Sequence, residues 1–165
     1  MEYVIRPMYP EEYPLLKDFL YLAIYQPEGE HLPKDIIYEP ALYGYIQNFG
    51  TQQHDHCLCA TADGCIIGAV WVRAVHGYGY VGEKVPELAI SLYPEYRGRG
   101  MGTQLLRGML GVLREEGYAK VSLSVQKENR AWRMYQREGF QVISQTEQEY
   151  VMVCPLRREE ERRKE

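Results

Sequence analysis

Apolar residues recur along the chain at two spacings, and the two kinds of segment follow one another in order. Residues 3–8, YVIRPM, read as a short strand. In residues 11–25 the apolar positions Leu15, Leu16, Phe19, Leu22 and Ala23 fall at helical spacing. Pro14 is tolerated there only near the first turn. Residues 26–35 are loop by their Pro and Gly content, and residues 38–50 read as a short helix from Pro40 to Gly50. Residues 56–75 predict a hairpin, two apolar runs about the turn dipeptide Asp63-Gly64. A Gly/Tyr loop, 76–85, leads into a strand over 86–93. Its alternation puts Leu88, Ile90 and Leu92 on one face and Glu87, Ala89 and Ser91 on the other. Leu105, Leu106, Met109, Leu110 and Leu113 form an apolar stripe of a helix that Gly117 stops. A strand over 118–125, a helix over 129–139 with Asn129 as N-cap and Gly139 as stop, and two closing strands, FQVIS and EYVMVC, complete the pattern. The order β-α-α-β-β-β-α-β-α-β-β is mixed α/β, without internal repeats.

Length and composition narrow this to one domain. The chain has 165 residues, 45% hydrophobic and 25% charged, enough for a core of its own. We place the domain at 1–156 and read 157–165, RREEERRKE, as a solvated charged tail. No apolar run approaches a membrane span, and the start carries an early acid and no apolar signal region. A cytoplasmic protein with no membrane partner is the expectation. The cysteines Cys57, Cys59, Cys65 and Cys154 are then reduced thiols. A net charge of -4 argues against nucleic acid as a partner. The charge is uneven: between Glu95 and Glu115 there is no acid, but there are Arg97, Arg99, Arg107 and Arg114. Such a segment suits a specific anion.

Within it, Gly98, Gly100 and Gly102 alternate around Arg99 and follow Arg97, just ahead of the predicted helix. A helix start carries unpaired N–H groups and partial positive charge. Glycines let several N–H groups turn to one anion and let a phosphate approach without meeting a Cβ. The arginines add charge-assisted donors. The strand-YRGRGMG-helix unit can therefore cradle a phosphate; the other reading is a glycine-rich surface turn with solvated arginines. The spacing is neither the G-x-G-x-x-G of dinucleotide folds nor a P-loop, which needs Gly-Lys-Ser/Thr.

The stretch LAISLYPEYRGRGMGTQLL resembles the signature of the GNAT superfamily of acetyl-CoA-dependent N-acetyltransferases, with Arg97, Gly100 and Gly102 at the motif positions. A second block, SLSVQKENRAWRMYQREGF, is similar to the family's following strand and helix. Together they cover roughly residues 86–144; the N-terminal half is similar only in its strand-helix order. The resemblance implies a mixed, mostly antiparallel, twisted sheet of about seven strands flanked by helices, splayed between the fourth and fifth strands. The pantetheine arm of acetyl-CoA would lie in that gap against the backbone of Ile90, Ser91 and Leu92. Its pyrophosphate would sit on the loop amides of Arg97, Gly98, Arg99, Gly100, Met101, Gly102 and Thr103. The acceptor would be a primary amine of a small molecule or peptide, acetylated directly in a ternary complex. The family allows a homodimer and requires no metal.

Acetyl transfer needs a proton acceptor for the amine, an N–H donor facing the thioester oxygen, and an acid beside the leaving sulfur. By the resemblance, Tyr135 is the acid; otherwise it packs its helix with Trp132 and Phe140. Glu87 is the candidate base, with Glu83 in reserve; otherwise Glu87 is a solvent-facing strand-end glutamate. Asn129 caps its helix and could also touch the cosubstrate. HDHCLC, residues 54–59, offers zinc-ligand types, but alternation puts His54 and His56 opposite Cys57 and Cys59, so one ion could not collect all four. Trp71 and the tyrosines of 38–45 and 78–80 could line an acceptor pocket or fill the core, and the acids Glu28, Glu30, Asp35 and Glu83 would suit a cationic amine. A non-catalytic acyl-CoA-binding module is the rival reading; thiol release with acetyl-CoA and an amine separates the two.

Overall fold

The Asp63-Gly64 dipeptide has φ of 51° and 79°, the left-handed pair that a two-residue hairpin turn requires. It joins β2 (His56–Ala62) to β3 (Cys65–Arg73) in an antiparallel ladder. The computed structural model describes residues 2–157, so the charged tail lies outside the described residues apart from Arg157. β1 (Val4–Pro7) pairs antiparallel with β2, and β4 (Glu87–Leu92) with β3. On the far side β5 (Lys120–Gln126) pairs with β7 (Glu149–Pro155), which pairs with β6 (Gln141–Gln145). The seven strands run β1-β2-β3-β4-β5-β7-β6, with β4 and β5 parallel and every other pair antiparallel.

Period-two alternation gives the sheet two apolar faces. α3 (Met101–Glu115) lays Leu105, Leu106, Met109, Leu110 and Leu113 on one face, against Leu88 and Leu92 of β4 and Val121 and Leu123 of β5. It ends in a Schellman turn: the N–H of Tyr118 donates to Leu113 O and that of Gly117, at φ +86°, to Arg114 O. α4 (Ala131–Arg137) joins the same face and ends likewise at Gly139, with Phe140 N donating to Tyr135 O. On the other face α1 (Leu16–Ala23) buries Leu16, Phe19 and Leu20 against Cys57, Cys59, Ala69 and Trp71.

Three elements differ from the sequence expectation. The helix over 11–25 is a 3-10 turn, Pro10–Leu15, followed by α1 from Leu16. Pro10 and Pro14 supply no N–H for i→i−4 bonds, and Leu15 is exposed rather than part of the stripe. The helix over 38–50 is only α2 (Pro40–Tyr43), after which turns run to Gly50. A buried arginine holds those turns. Arg73 donates twice to Asp55, at 2.9 Å each, and to the carbonyls of Gly44 and Gln47. Asp55 also accepts from the N–H groups of Gly50 and Gln52. With every donor but one engaged, the pair is satisfied in a site where an unpaired charge would cost several kcal/mol, about 3–5. Lastly, Asn129 is not the N-cap residue. That position is Arg130, and the Asn129 side chain accepts from Ala131 N at 3.0 Å, an Asx turn one residue outside the helix. Among the described residues no helix is long and apolar enough to cross a membrane.

Candidate active site

β4 and β5 meet at one register pair, Glu87↔Ser122, with Ser122 N donating to Pro86 O. Beyond it no backbone pair joins the two strands and they diverge. The divergence opens a cleft of about 470 Å³ through the sheet. Leu88 and Ile90 of β4 line one wall, and Leu123 and Val125 of β5 the other. The β4 edge from Leu88 to Ile90 thus faces a void, with no strand paired to it on that side. An extended amide-bearing ligand completes such an edge. Ile90 is half-buried at the cleft, while the Ser91 hydroxyl points to the other face and donates to Phe19 O at 2.7 Å. Leu92 is buried against α3.

The same β4 leads, through the short turn Pro94–Tyr96, to the start of α3. Gly98 and Gly100 have φ of 77° and 85°, and a Cβ at either would meet nothing within 4 Å. Left-handed backbone and open space together explain glycine at both. Gly102 lies in the first turn of the helix, where a Cβ would make ordinary contact with Leu92 and Met134, each at 3.8 Å. The first helical hydrogen bond runs from Gln104 N to Gly100 O. The N–H groups of Gly98, Gly100, Met101, Gly102 and Thr103 therefore donate to no described residue, and Gly98 and Gly100 are exposed. Arg97 is exposed beside them, and the Arg99 guanidinium lies 6.0 Å from the Tyr96 ring centroid. Unbonded amides, two arginines and a helix start suit an anion at the end of β4.

Tyr135 comes from α4 and lines the cleft. Its ring is buried 5.9 Å from Phe140, and its hydroxyl makes no hydrogen bond to a described residue. Burial pushes the phenol up to about 12. Trp132, the other packing partner expected, sits on Tyr150 instead. Asn129 is half-buried at the same wall.

Glu87 is not the solvent-facing strand end that the sequence allowed. It is 2% exposed at the apex where the strands part. Oε1 accepts from the Tyr45 hydroxyl at 2.8 Å and from Gly79 N at 2.7 Å; Oε2 accepts from Gly77 N at 2.7 Å. The Tyr45 hydroxyl accepts in turn from Tyr78 N at 2.9 Å. Burial raises the affinity of the carboxyl for a proton, and the three donors oppose it. Glu87 itself does not line the cleft, but Tyr45 and Tyr78 do. Glu83, the reserve base, is exposed and bonded to Tyr80 at 3.0 Å, away from the cleft.

A model of the acetyltransferase (GNAT) family matches residues 15–140. The chain belongs to this family. This GNAT acetyltransferase is an acyltransferase. Its fold is similar to that of PaiA N-acetyltransferase from Thermoplasma acidophilum, solved in complex with coenzyme A, at 20% identity over 94% of this chain and 99% of that one, TM-score 0.69. It is similar to a GNAT-family acetyltransferase from Streptococcus pneumoniae at 21% identity, covering 94% and 100%, TM-score 0.67. The ribosomal-protein-S18-alanine N-acetyltransferase of Escherichia coli is 15% identical over 95% and 96%, TM-score 0.67. No curated protein sequence matches the chain.

In this GNAT protein several readings resolve. Trp71 is core, 1% exposed, and its indole N–H donates to Tyr45 O at 3.2 Å. The tyrosines divide: Tyr45 and Tyr78 line the cleft, whereas Tyr38 does not. Cys57 and Cys59 are buried on the α1 face, while His54 hydrogen-bonds Tyr118 and His56 packs against it. Among the described residues no three potential metal ligands gather. None of Glu28, Glu30, Asp35 or Glu83 lines the cleft. The carboxylate that does is Glu149, which the sequence analysis passed over. Its signal exists only in the ladder, where it faces Gln126 of β5.

Proposed function

We propose that this GNAT acetyltransferase moves an acetyl group from acetyl-CoA to a primary amine of a small molecule or peptide, directly in a ternary complex. The observation that carries the reading is that one strand, β4, borders the cleft with its unpaired edge and leads directly into the glycine-arginine turn at the start of α3. A chain with a pyrophosphate at one end and an amide-bearing arm at the other fits that path. The amides from Gly98 to Thr103, with Arg97 and Arg99, would hold the pyrophosphate; the Ile90–Leu92 backbone would take the arm. Asn129, at the same wall, could contact it.

Transfer then asks for two proton movements. Tyr135 supplies one: its hydroxyl, protonated at all working pH and unbonded in the cleft, can donate to the departing sulfur while its oxygen takes back the second proton that the new amide nitrogen must lose. Glu87 is suited to the other, through Tyr45. As the ammonium of the acceptor gives a proton to Tyr45 Oη, the proton of Tyr45 passes across 2.8 Å to Glu87 Oε1. The amine is left neutral, Tyr45 unchanged and Glu87 protonated. A carboxyl whose proton affinity is raised by burial suits that final state.

The test is thiol release from acetyl-CoA in the presence of a panel of amines and peptide N-termini. Release that depends on both amine and enzyme supports the reading. Tight acetyl-CoA binding with no release for any amine would overturn it.

A further inference from the structure

The cleft opens on both faces of the sheet, and the two openings differ in chemistry. Leu123 and Val125 belong to the α3 face, so Ser124 and Gln126 alternate to the α1 face. The ladder pairs Gln126 with Glu149 and Ser124 with Val151, which puts Glu149 on the α1 face as well. Thr146 and Gln148 flank Glu149 in the cleft wall, and across from them the lining contributed by residues 20–42 is aliphatic or aromatic: Leu20, Ala23, Ile24, Tyr25, Ile36 and Leu42.

Glu149 is the single charged residue among the described residues lining the cleft. It is half-buried, and its Oε1 accepts from Gln126 Nε2 at 3.2 Å. No lysine, arginine or histidine among the described residues pairs with it. Burial raises its proton affinity, with no neighbouring cation to offset this. Its backbone is fixed: Thr146 Oγ1 accepts from Gln148 N and Glu149 N, Thr146 N donates to Glu149 O, and Lys127 N donates to Gln148 O. A held carboxylate without a cation, at the rim of an apolar pocket, is complementary to a cation with an apolar body.

Resting on the acetyltransfer reading above, we infer that the acceptor is an alkylammonium with an apolar or aromatic skeleton, and that Glu149 receives its charge. Glu149 is thus a specificity residue for the acceptor, on the α1 face of the sheet, opposite α3.

The experiment compares 2-phenylethylamine, ethanolamine and aniline, which is neutral at pH 7.5, as acceptors for the parent and for Glu149→Gln. Gln keeps the acceptor oxygen for Gln126 and the shape of the turn. The inference expects kcat/KM for 2-phenylethylamine at least tenfold above that for ethanolamine. It expects Glu149→Gln to raise KM for 2-phenylethylamine roughly tenfold, the scale of one charged hydrogen bond, with KM for aniline moved less than twofold. Preference for ethanolamine, or equal KM changes for charged and neutral amines, overturns it. If no amine releases thiol, the transfer reading fails on its own. Calorimetry of 2-phenylethylammonium with the CoA-saturated protein then decides: binding weakened roughly tenfold in the variant supports the Glu149 assignment, and equal binding overturns it.

Discussion

Replacing Tyr135 by Phe removes one oxygen from the cleft and nothing else. The ring keeps its place 5.9 Å from Phe140, and no described residue loses a hydrogen-bond partner. Stability should therefore change by less than about 0.5 kcal/mol, the range of a substitution that breaks no named contact. If the hydroxyl protonates the leaving sulfur, kcat should fall. General acids contribute about 10²–10⁴-fold, and a thiolate of ordinary pKa, about 8.5, is a tolerable leaving group. The low end is expected, roughly 100-fold, which corresponds to about 2.7 kcal/mol of barrier. The pH dependence follows from the burial. A phenol raised to about 12 stays protonated through pH 7–9.5, so the parent-to-variant ratio should be flat across that window. The assay is steady-state thiol release at saturating acetyl-CoA, with CoA affinity measured alongside. A kcat within twofold of the parent refutes the acid role. A penalty that disappears with an apparent pKa near 10 refutes the claim that the cleft buries this group.

Three further expectations concern the cradle, the apex and the N-terminal strand. Arg97→Ala should weaken CoA binding about tenfold, the low end for an exposed charged donor. Gly100→Val should do at least as much, since φ of +85° strains a β-branched residue while leaving room for its Cβ; calorimetry showing unchanged affinity for both would sink the cradle. Gly77→Ala drives a Cβ into the Tyr45 hydroxyl and against Glu87 Oε1 at 3.0 Å, so it should lower kcat and melting temperature together; a silent variant would mean the apex network does not order the 77–79 loop. Arg6 holds the Glu12 carboxylate at about 2, below its ordinary 4.5. Because the folded state binds this proton more weakly, its stabilisation is present above pH 4.5 and lost as pH falls through about 2. Acid melting of Glu12→Gln should be correspondingly flatter, and identical acid limbs would remove the pair from the stability of the first turn.

Local chemistry determined much of this protein. The hairpin at Asp63-Gly64, the stripe of α3 and the glycine stops at 117 and 139 depend on periodicity and on backbone conformations only glycine adopts readily, and both are written in neighbouring residues. The two motif blocks carried the family, and with it the cradle and the splayed strands. What the sequence misjudged was set by contacts across the chain. Residues 10–15, with prolines at both 10 and 14, take a 3-10 turn rather than an α-helix, and residues 44–50 are held by Arg73, which lies more than twenty positions on. Glu87 begins a strand and reads as exposed, yet the loop of Gly77 and Gly79 closes over it and Tyr45 reaches it from forty-two positions away. Glu149 has no local mark at all. It faces the cleft because β7 pairs with β5, and a strand's facing is decided by its partner's register, which no stretch of its own sequence contains.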